Sequence, residues 1–238
     1  MKVALVGYGK MGKTLEKILV DRGHEVVARF GSEGIQVAEL KKADVAIEFS
    51  VPEAAYGNLK TCLESSVPIV TGTTGWLDRY DEIVSLCEQQ KGGLIYASNF
   101  SLGVNLFFAL NRYLAELMAP YSDYNAEMTE IHHIHKLDAP SGTAISLAED
   151  LIKSLPQKDK WALQENTQSD SDLSIKAIRE NEVPGTHSIR YSSAIDDIEI
   201  THTAHNRQGF ALGAVIAAEY LNGKQGVYSM RDVLNLPS

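Results

Sequence analysis

Residues 130–143 read Glu-Ile-His-His-Ile-His-Lys-Leu-Asp-Ala-Pro-Ser-Gly-Thr, and the three histidines and one lysine at 132–136 are hard to explain by packing. Imidazoles bind zinc, and they also exchange protons near neutral pH. On an extended strand His133 and His135 share one face, while His132 takes the other with Ile134 and Glu130. Adjacent histidines then point apart and no cysteine helps, so no metal site is expected here. The chemistry that remains is an anion pocket with a proton donor. Lys136 supplies charge, and the amides of Gly142 and Thr143, at a helix start opened by Ser141, can grip a carboxylate or phosphate. The plainer alternative is a histidine-rich surface strand followed by a capped helix.

A second constellation is Gly7-Tyr8-Gly9-Lys10-Met11-Gly12, which follows an apolar run and opens a helical one. The first glycine allows a tight turn, the second lets amides approach a pyrophosphate, and the third lets the helix pack on the sheet. The pattern predicts dinucleotide binding. Its usual partner, an acid after the second strand that accepts the ribose 2′-hydroxyl, is missing. The sequence there reads Arg29-Phe30-Gly31-Ser32, and Arg29 either offers a charged fork to a 2′-phosphate or faces solvent. Thr71-Gly72-Thr73-Thr74-Gly75 and Ala97-Ser98-Asn99-Phe100-Ser101 end two further strands, at the edge where open α/β sheets bind ligands. Arg207, after His202-Thr203-Ala204-His205-Asn206, is a candidate anion ligand, and His187 reads as a turn-to-strand residue without a role.

These residues need elements to hold them. In the first hundred residues, short β-branched runs at 3–6, 26–28, 45–47, 69–70 and 94–96 alternate with helical stretches near 11–22, 52–65 and 78–90. That alternation predicts a doubly wound parallel sheet. After Asn99 the pattern changes to a helix over 102–118, an alternating strand over 126–135 and a helix near 142–154. Residues 156–174 read as a mobile polar excursion. Strands near 175–179, 187–192 and 197–204 and a helix over 210–221 follow, an antiparallel α+β half. The expected division is a cofactor domain (1–100 with 207–238) and a substrate domain (101–206).

Composition narrows the function. In 238 residues there are 22 basic and 31 acidic side chains, a net charge of −9, so no general field draws nucleic acid or an anionic membrane. Two separated cysteines, Cys62 and Cys87, exclude a disulfide framework and a thiolate zinc site. No run of eighteen apolar residues occurs, and a cytoplasmic protein is expected.

The stretch Glu130 to Ala144 resembles the E-x-H-H-x-x-K-x-D-x-P-S-G-T-A signature of the dihydrodipicolinate reductase family. Gly72-Thr73-Thr74-Gly75, Asn99-Phe100-Ser101-Leu102-Gly103-Val104-Asn105, Pro184-Gly185-Thr186-His187 and Met230-Arg231-Asp232-Val233-Leu234 resemble its other segments, in order along the whole chain. The resemblance implies an NADPH- or NADH-dependent reductase acting on 4-hydroxy-tetrahydrodipicolinate in diaminopimelate and lysine biosynthesis, by hydride transfer and then protonation. It also implies a homotetramer with a hinge between the domains. By the same resemblance His132 and Lys136 are the proton-donating pair, and His133, Lys136, Ser141, Gly142 and Thr143 bind the substrate's carboxylates. Gly7 through Gly12 hold the pyrophosphate, and Gly72, Thr73, Thr74 and Ala97 through Phe100 contact the nicotinamide side. Arg29 and Arg207 are added as cofactor ligands on the reading of the residues given above, not on the resemblance. NADPH is expected to serve at least as well as NADH. Two rival functions are a non-catalytic NAD(P) sensor on this fold and a dehydrogenase for another small dicarboxylate.

Overall fold

The computed structural model describes residues 1–206 and 208–236. Along the chain the elements are β1 (Lys2–Val6), α1 (Lys10–Asp21), β2 (Glu25–Phe30), α2 (Val37–Leu40), β3 (Val45–Glu48), α3 (Pro52–Glu64), β4 (Ile69–Thr71), α4 (Tyr80–Gln89), β5 (Gly93–Tyr96) and α5 (Leu102–Met118). There follow β6 (Asn125–His132), α6 (Gly142–Ser154), β7 (Lys160–Leu163), β8 (Asp172–Arg179), β9 (Thr186–Ser192), β10 (Asp197–Thr203), α7 (Gln208–Leu221), β11 (Gly226–Tyr228) and α8 (Met230–Val233). The chain forms two compact units, Met1–Asn105 with Gln208–Ser238, and Leu106–Arg207.

The first unit is a six-stranded parallel sheet in the order β11-β5-β4-β3-β1-β2. Its strands are apolar on both sides because helices cover both faces. Val3, Leu5, Ile47 and Val70 pack with Leu15 and Leu19 of α1 and with Val215 and Leu221 of α7. Ala4, Val6, Ala46 and Ile69 face Leu59 and Leu63 of α3 and Ile83 of α4. This is the doubly wound arrangement expected, with one strand more: β11 is three residues long and carries no periodic signal. Both cysteines are buried and free. Burial pushes the Cys62 thiol up and holds that of Cys87 at about 11, so neither is a reactive thiolate at neutral pH.

The second unit is a five-stranded sheet in the order β10-β9-β6-β8-β7, with α5 and α6 on one face. It is mixed, not antiparallel as expected: β9 runs against β6 and β10, but β8 is parallel to β6 and to β7. The reason is α6, which lies between β6 and β7 and serves as the long crossover that parallel strands need. The strand expected to reach residue 135 stops at His132, because the Ile134 amide turns away to the carbonyl of Asn181 and the Lys136 amide closes a turn on His133.

Residues 156–174 also differ from the mobile excursion expected. They hold β7 and the start of β8, fastened by Lys158, which is only 5% exposed. Its ammonium donates to Asn125 Oδ1 at 2.8 Å and to the carbonyls of Asp170 and Asp172 at 2.7 and 3.1 Å. Polar composition suggested a loop, but one buried cation with three acceptors ties the segment to β6. Removing that ammonium strands the acceptors, so Lys158→Met should lower unfolding stability by about 2–4 kcal/mol. Urea denaturation of the two proteins checks this; equal midpoints would show that the strap carries no weight.

Candidate active site

The two constellations singled out in the sequence fall in different units. In the first unit, the turn after β1 is held by Phe49. Gly7 adopts φ +92°, and a Cβ there would lie 2.0 Å from the Phe49 carbonyl oxygen. A Cβ on Gly72 would likewise meet the Phe49 ring at 2.1 Å, so one residue makes both loops demand glycine. Gly12 packs against the Gly7 carbonyl, whereas a Cβ on Gly9 would meet nothing within 4 Å. Gly9 is the residue before α1, no side chain caps that helix, and its first turn has no acid. An uncapped twelve-residue helix behind an open glycine is a cradle for an anion.

A cavity of about 470 Å³ adjoins it, with Tyr8, Gly9, Gly31, Ser32 and Ser50 in its lining. A neighbouring one of about 290 Å³ is lined by Met11, Phe49, Ser50, Gly72, Thr73 and Thr74. The residues therefore fit a dinucleotide, with the pyrophosphate at Gly7 to Gly12 and a further group at Gly72 to Thr74. Lys10 is exposed at the start of α1. Of the fifth-strand segment, Ser98 is exposed and Ala97 and Asn99 are half-buried. The Asn99 side chain accepts from the Ser101 amide at 2.9 Å, and the Phe100 ring lies in the core against Phe49. Phe100 thus serves packing, and only its backbone is left for a ligand.

Arg29 corrects an expectation. Its guanidinium does not present an open fork: Nε donates to Glu16 Oε1 at 3.0 Å and Nη2 closes on the same oxygen. The Tyr8 hydroxyl donates to the other Glu16 oxygen, and the Arg29 guanidinium lies 6.0 Å from the Tyr8 ring centre. Glu16 comes from α1, which the βαβ path lays beside the end of β2, a pairing that the local run 29–32 does not show. Glu33, the first acid after β2, accepts from the Gly31 amide at 2.9 Å and so closes its own loop.

In the second unit, the register of the sheet gathers the chemistry. Glu130 of β6 stands opposite His187 of β9, and His132 is paired with Arg179 of β8. Glu130 is fully buried. Its Oε1 accepts from Arg179 Nη2 at 3.0 Å and from the Ser141 amide at 3.1 Å. Its Oε2 lies 2.7 Å from His132 Nδ1, at ion-pair distance but off the ring N–H axis, and 4.0 Å from His187 Nε2. Burial alone would raise this carboxyl, but His132, Ser141 and Arg179 outweigh it and hold the group at about 2.

Ser141 caps α6, its Oγ accepting from the Ala144 amide at 3.2 Å, and the same oxygen lies 3.2 Å from His187 Nε2. Gly142 and Thr143, the first two residues of α6, keep free amides, and no side chain crowds Gly142. Lys136 pairs with Asp138 at 2.9 Å, and the Asp138 carbonyl accepts from Arg179 at 2.5 Å. His133 is half-buried with an unsatisfied Nδ1, its ring 6.0 Å from that of His135. Glu130, His132 and His187 are close enough together to surround a cation. Arg179 already neutralises that carboxylate and Ser141 occupies His187, which argues against one. Arg207 lies outside the described residues.

Three groups here escaped the sequence as site members: Glu130 as the anchor, Arg179 and His187. Only the strand register joins them, although His187 stands in the Pro184-Gly185-Thr186-His187 segment.

An open glycine cradle at the end of a parallel strand, and elsewhere a unit that gathers proton donors and anion-gripping amides, define an NAD(P)-dependent oxidoreductase. Family models for dihydrodipicolinate reductase match residues 1–100 (its N-terminus) and 103–234 (its C-terminus). The 4-hydroxy-tetrahydrodipicolinate reductase of Christiangramia forsetii is 50% identical over 237 residues, covering 99% of this chain and 98% of that protein. That of Methanoregula boonei is 32% identical over 253 residues, with 99% and 98% covered. The dipicolinate-bound dihydrodipicolinate reductase from Paenisporosarcina sp. TG-14 has the same fold, with a TM-score of 0.77 at 24% identity over 96% of this chain and 97% of that one. The chain belongs to the dihydrodipicolinate reductase family.

His187 yields a pH prediction. Burial, and then the charge of His132, depress it from 6.5 to about 4, with Glu130 opposing. The unfolded chain therefore binds a proton that the folded chain refuses as pH falls from about 6.5 to about 4, and stability drops over that window. The loss is up to about 3 kcal/mol. Glu130 acts lower, between about 4.5 and about 2, where its protonation removes stability that its depressed pKa supplies above that range. His187→Gln should flatten the upper window in urea titrations from pH 7 to 4.5; an unchanged slope would contradict this.

Proposed function

We propose that this chain reduces 4-hydroxy-tetrahydrodipicolinate to tetrahydrodipicolinate and water with NADH or NADPH, in diaminopimelate and lysine biosynthesis. Breaking the C4–hydroxyl bond releases water and leaves a conjugated cyclic imine, which takes the hydride at C4 and a proton on the neighbouring carbon. The observation that carries the reading is the buried Glu130–His132 pair beside the open amides of α6, in a chain of this family. A small dicarboxylate needs two cationic or N–H-rich grips and a proton donor, and the second unit supplies both.

When bound, the reduced nicotinamide supplies the hydride. Gly7 to Gly12 hold its pyrophosphate, and Gly72, Thr73, Thr74 and the 97–100 backbone border the reacting end. Gly142 and Thr143 grip one substrate carboxylate through their amides, while Lys136 and His133 supply positive charge and an N–H for the other. Glu130 keeps the His132 ring in place, and His132 with Lys136 hands a proton to the carbon left electron-rich by hydride addition. General acids of this kind typically contribute 10²–10⁴-fold.

The pairing of Arg29 with Glu16 bears on cofactor choice. A 2′-phosphate must compete with a carboxylate already on the guanidinium, so the advantage expected for NADPH is reduced. The homotetramer, the cytoplasmic location and the two-domain division belong to the same proposal. Leu106, Leu110, Tyr113 and Leu117 form an exposed apolar stripe along α5 that supports self-association. Among the described residues no helix is long and apolar enough to cross a membrane.

The test is a coupled assay with freshly generated substrate, following nicotinamide absorbance. His132→Ala and Lys136→Ala should each cut kcat by about 10²-fold or more, roughly 2.7 kcal/mol of barrier, with cofactor affinity nearly unchanged. Wild-type turnover in both variants would sink the role assignment, and an inactive wild type would favour a sensor.

A further inference from the structure

One ionisable group in the first unit has no part in the mechanism above. Glu48, the last residue of β3, is fully buried. Its Oε2 accepts from Thr71 Oγ1 at 2.6 Å. Its Oε1 accepts from the Ser50 amide at 3.1 Å and from the Ser50 hydroxyl. The Ser50 amide is shared with Thr73 Oγ1 at 2.9 Å, and Asn58 donates to Ser50 Oγ at 3.2 Å. Every partner is a neutral donor; among the described residues no lysine, arginine or histidine pairs with this carboxylate.

That is an unusual economy for a buried acid. Taking a carboxylate out of water costs several kcal/mol, and Glu130 in the other unit has Arg179 and His132 to offset it. A glutamine could anchor the same loops without the charge, its oxygen accepting from Ser50 and its amide donating to Thr71 Oγ1. The location supplies the missing reason. Thr71 leads into Gly72 to Thr74, Ser50 touches Glu48 and lines the cavity of about 290 Å³, and Thr73, which shares the Ser50 amide, lines the same cavity. Glu48 thus stands one residue behind the wall of the subsite assigned above to the reacting end of the cofactor. The nicotinamide ring is neutral in the reduced form and carries a positive charge once hydride, two electrons with one proton, has left it.

We propose that Glu48 is an electrostatic residue of the cofactor subsite: its fixed, unpaired negative charge favours the oxidised, cationic nicotinamide over the reduced one and so assists hydride release. At an effective dielectric near 20, a charge several ångströms away shifts the relative affinity for the two forms by about tenfold. It acts with no reorganisation, because Thr71 and Ser50 already hold the carboxylate. The inference rests on the cofactor reading given above.

The test is direct binding, not turnover. Calorimetry on the full chain gives Kd for NAD⁺ and for NADH in wild type, Glu48→Gln and Glu48→Asp. Glu48→Gln should weaken NAD⁺ about tenfold more than NADH, while Glu48→Asp, which keeps the charge, should hold the wild-type ratio within about threefold. A residue that only anchors loops weakens both forms equally, so an unchanged ratio in a folded Glu48→Gln overturns the proposal. Should the amide prevent folding, Glu48→Met removes the charge without a polar group to satisfy, and the same ratio decides. A wild-type chain that bound neither nucleotide would overturn the cofactor reading and this inference with it, a result distinct from a change in ratio.

Discussion

The second unit depends on one buried carboxylate. Glu130 sits on the covered face of the central strand β6, where an isolated charge would not be tolerated. It is kept ionised by Arg179, by the Ser141 amide and by His132, and each contact fixes a different piece of the site. Through Ser141 it sets the start of α6 and hence the open amides of Gly142 and Thr143. Through Arg179, which also reaches the Asp138 carbonyl, it fastens the turn that carries Lys136. Through His132 it determines how an imidazole is presented. Geometry and charge of the site thus come from the same carboxylate.

The first unit uses a related device at the end of its own inner strand. Glu48 is equally buried and also ties loops together, but through neutral donors. On the function proposed above, the difference follows from what each site binds. Anionic carboxylates require a surplus of cations and N–H groups, so the acid among them has to be fully paired. A ring that gains positive charge during the reaction is served by an acid left unpaired. Phe49, next to Glu48, then explains why Gly7 and Gly72 cannot be other residues. Positioning and electrostatics of the cofactor loops thus converge on two consecutive residues at the end of β3.

Much of this was legible from the chain. Periodicity placed five of the six strands of the parallel sheet and all of the long helices, because apolar faces and cap residues are local properties. The Pro140-Ser141-Gly142 turn announced the cap of α6, and the glycine spacing announced the cradle. What escaped was set by partners distant in sequence. His187 becomes a neighbour of Glu130 only through the β6–β9 register, and Arg179 a neighbour of His132 only through β6–β8. Arg29 looked free because Glu16 reaches it from a helix thirteen residues back. Residues 156–174 looked loose because their order comes from a buried ammonium and edge pairing, not from an apolar pattern.

The most direct measurement is the kinetics of Glu130→Gln together with its NADH affinity. The amide keeps the shape but removes the charge that holds Arg179, Ser141 and His132 in register. The account predicts a folded protein whose kcat/KM for the dicarboxylate falls by about 10²-fold or more, with Kd for NADH within about twofold of wild type. A folded Glu130→Gln enzyme with turnover within about threefold of wild type would contradict the account, because the buried charge would then organise nothing that the reaction needs.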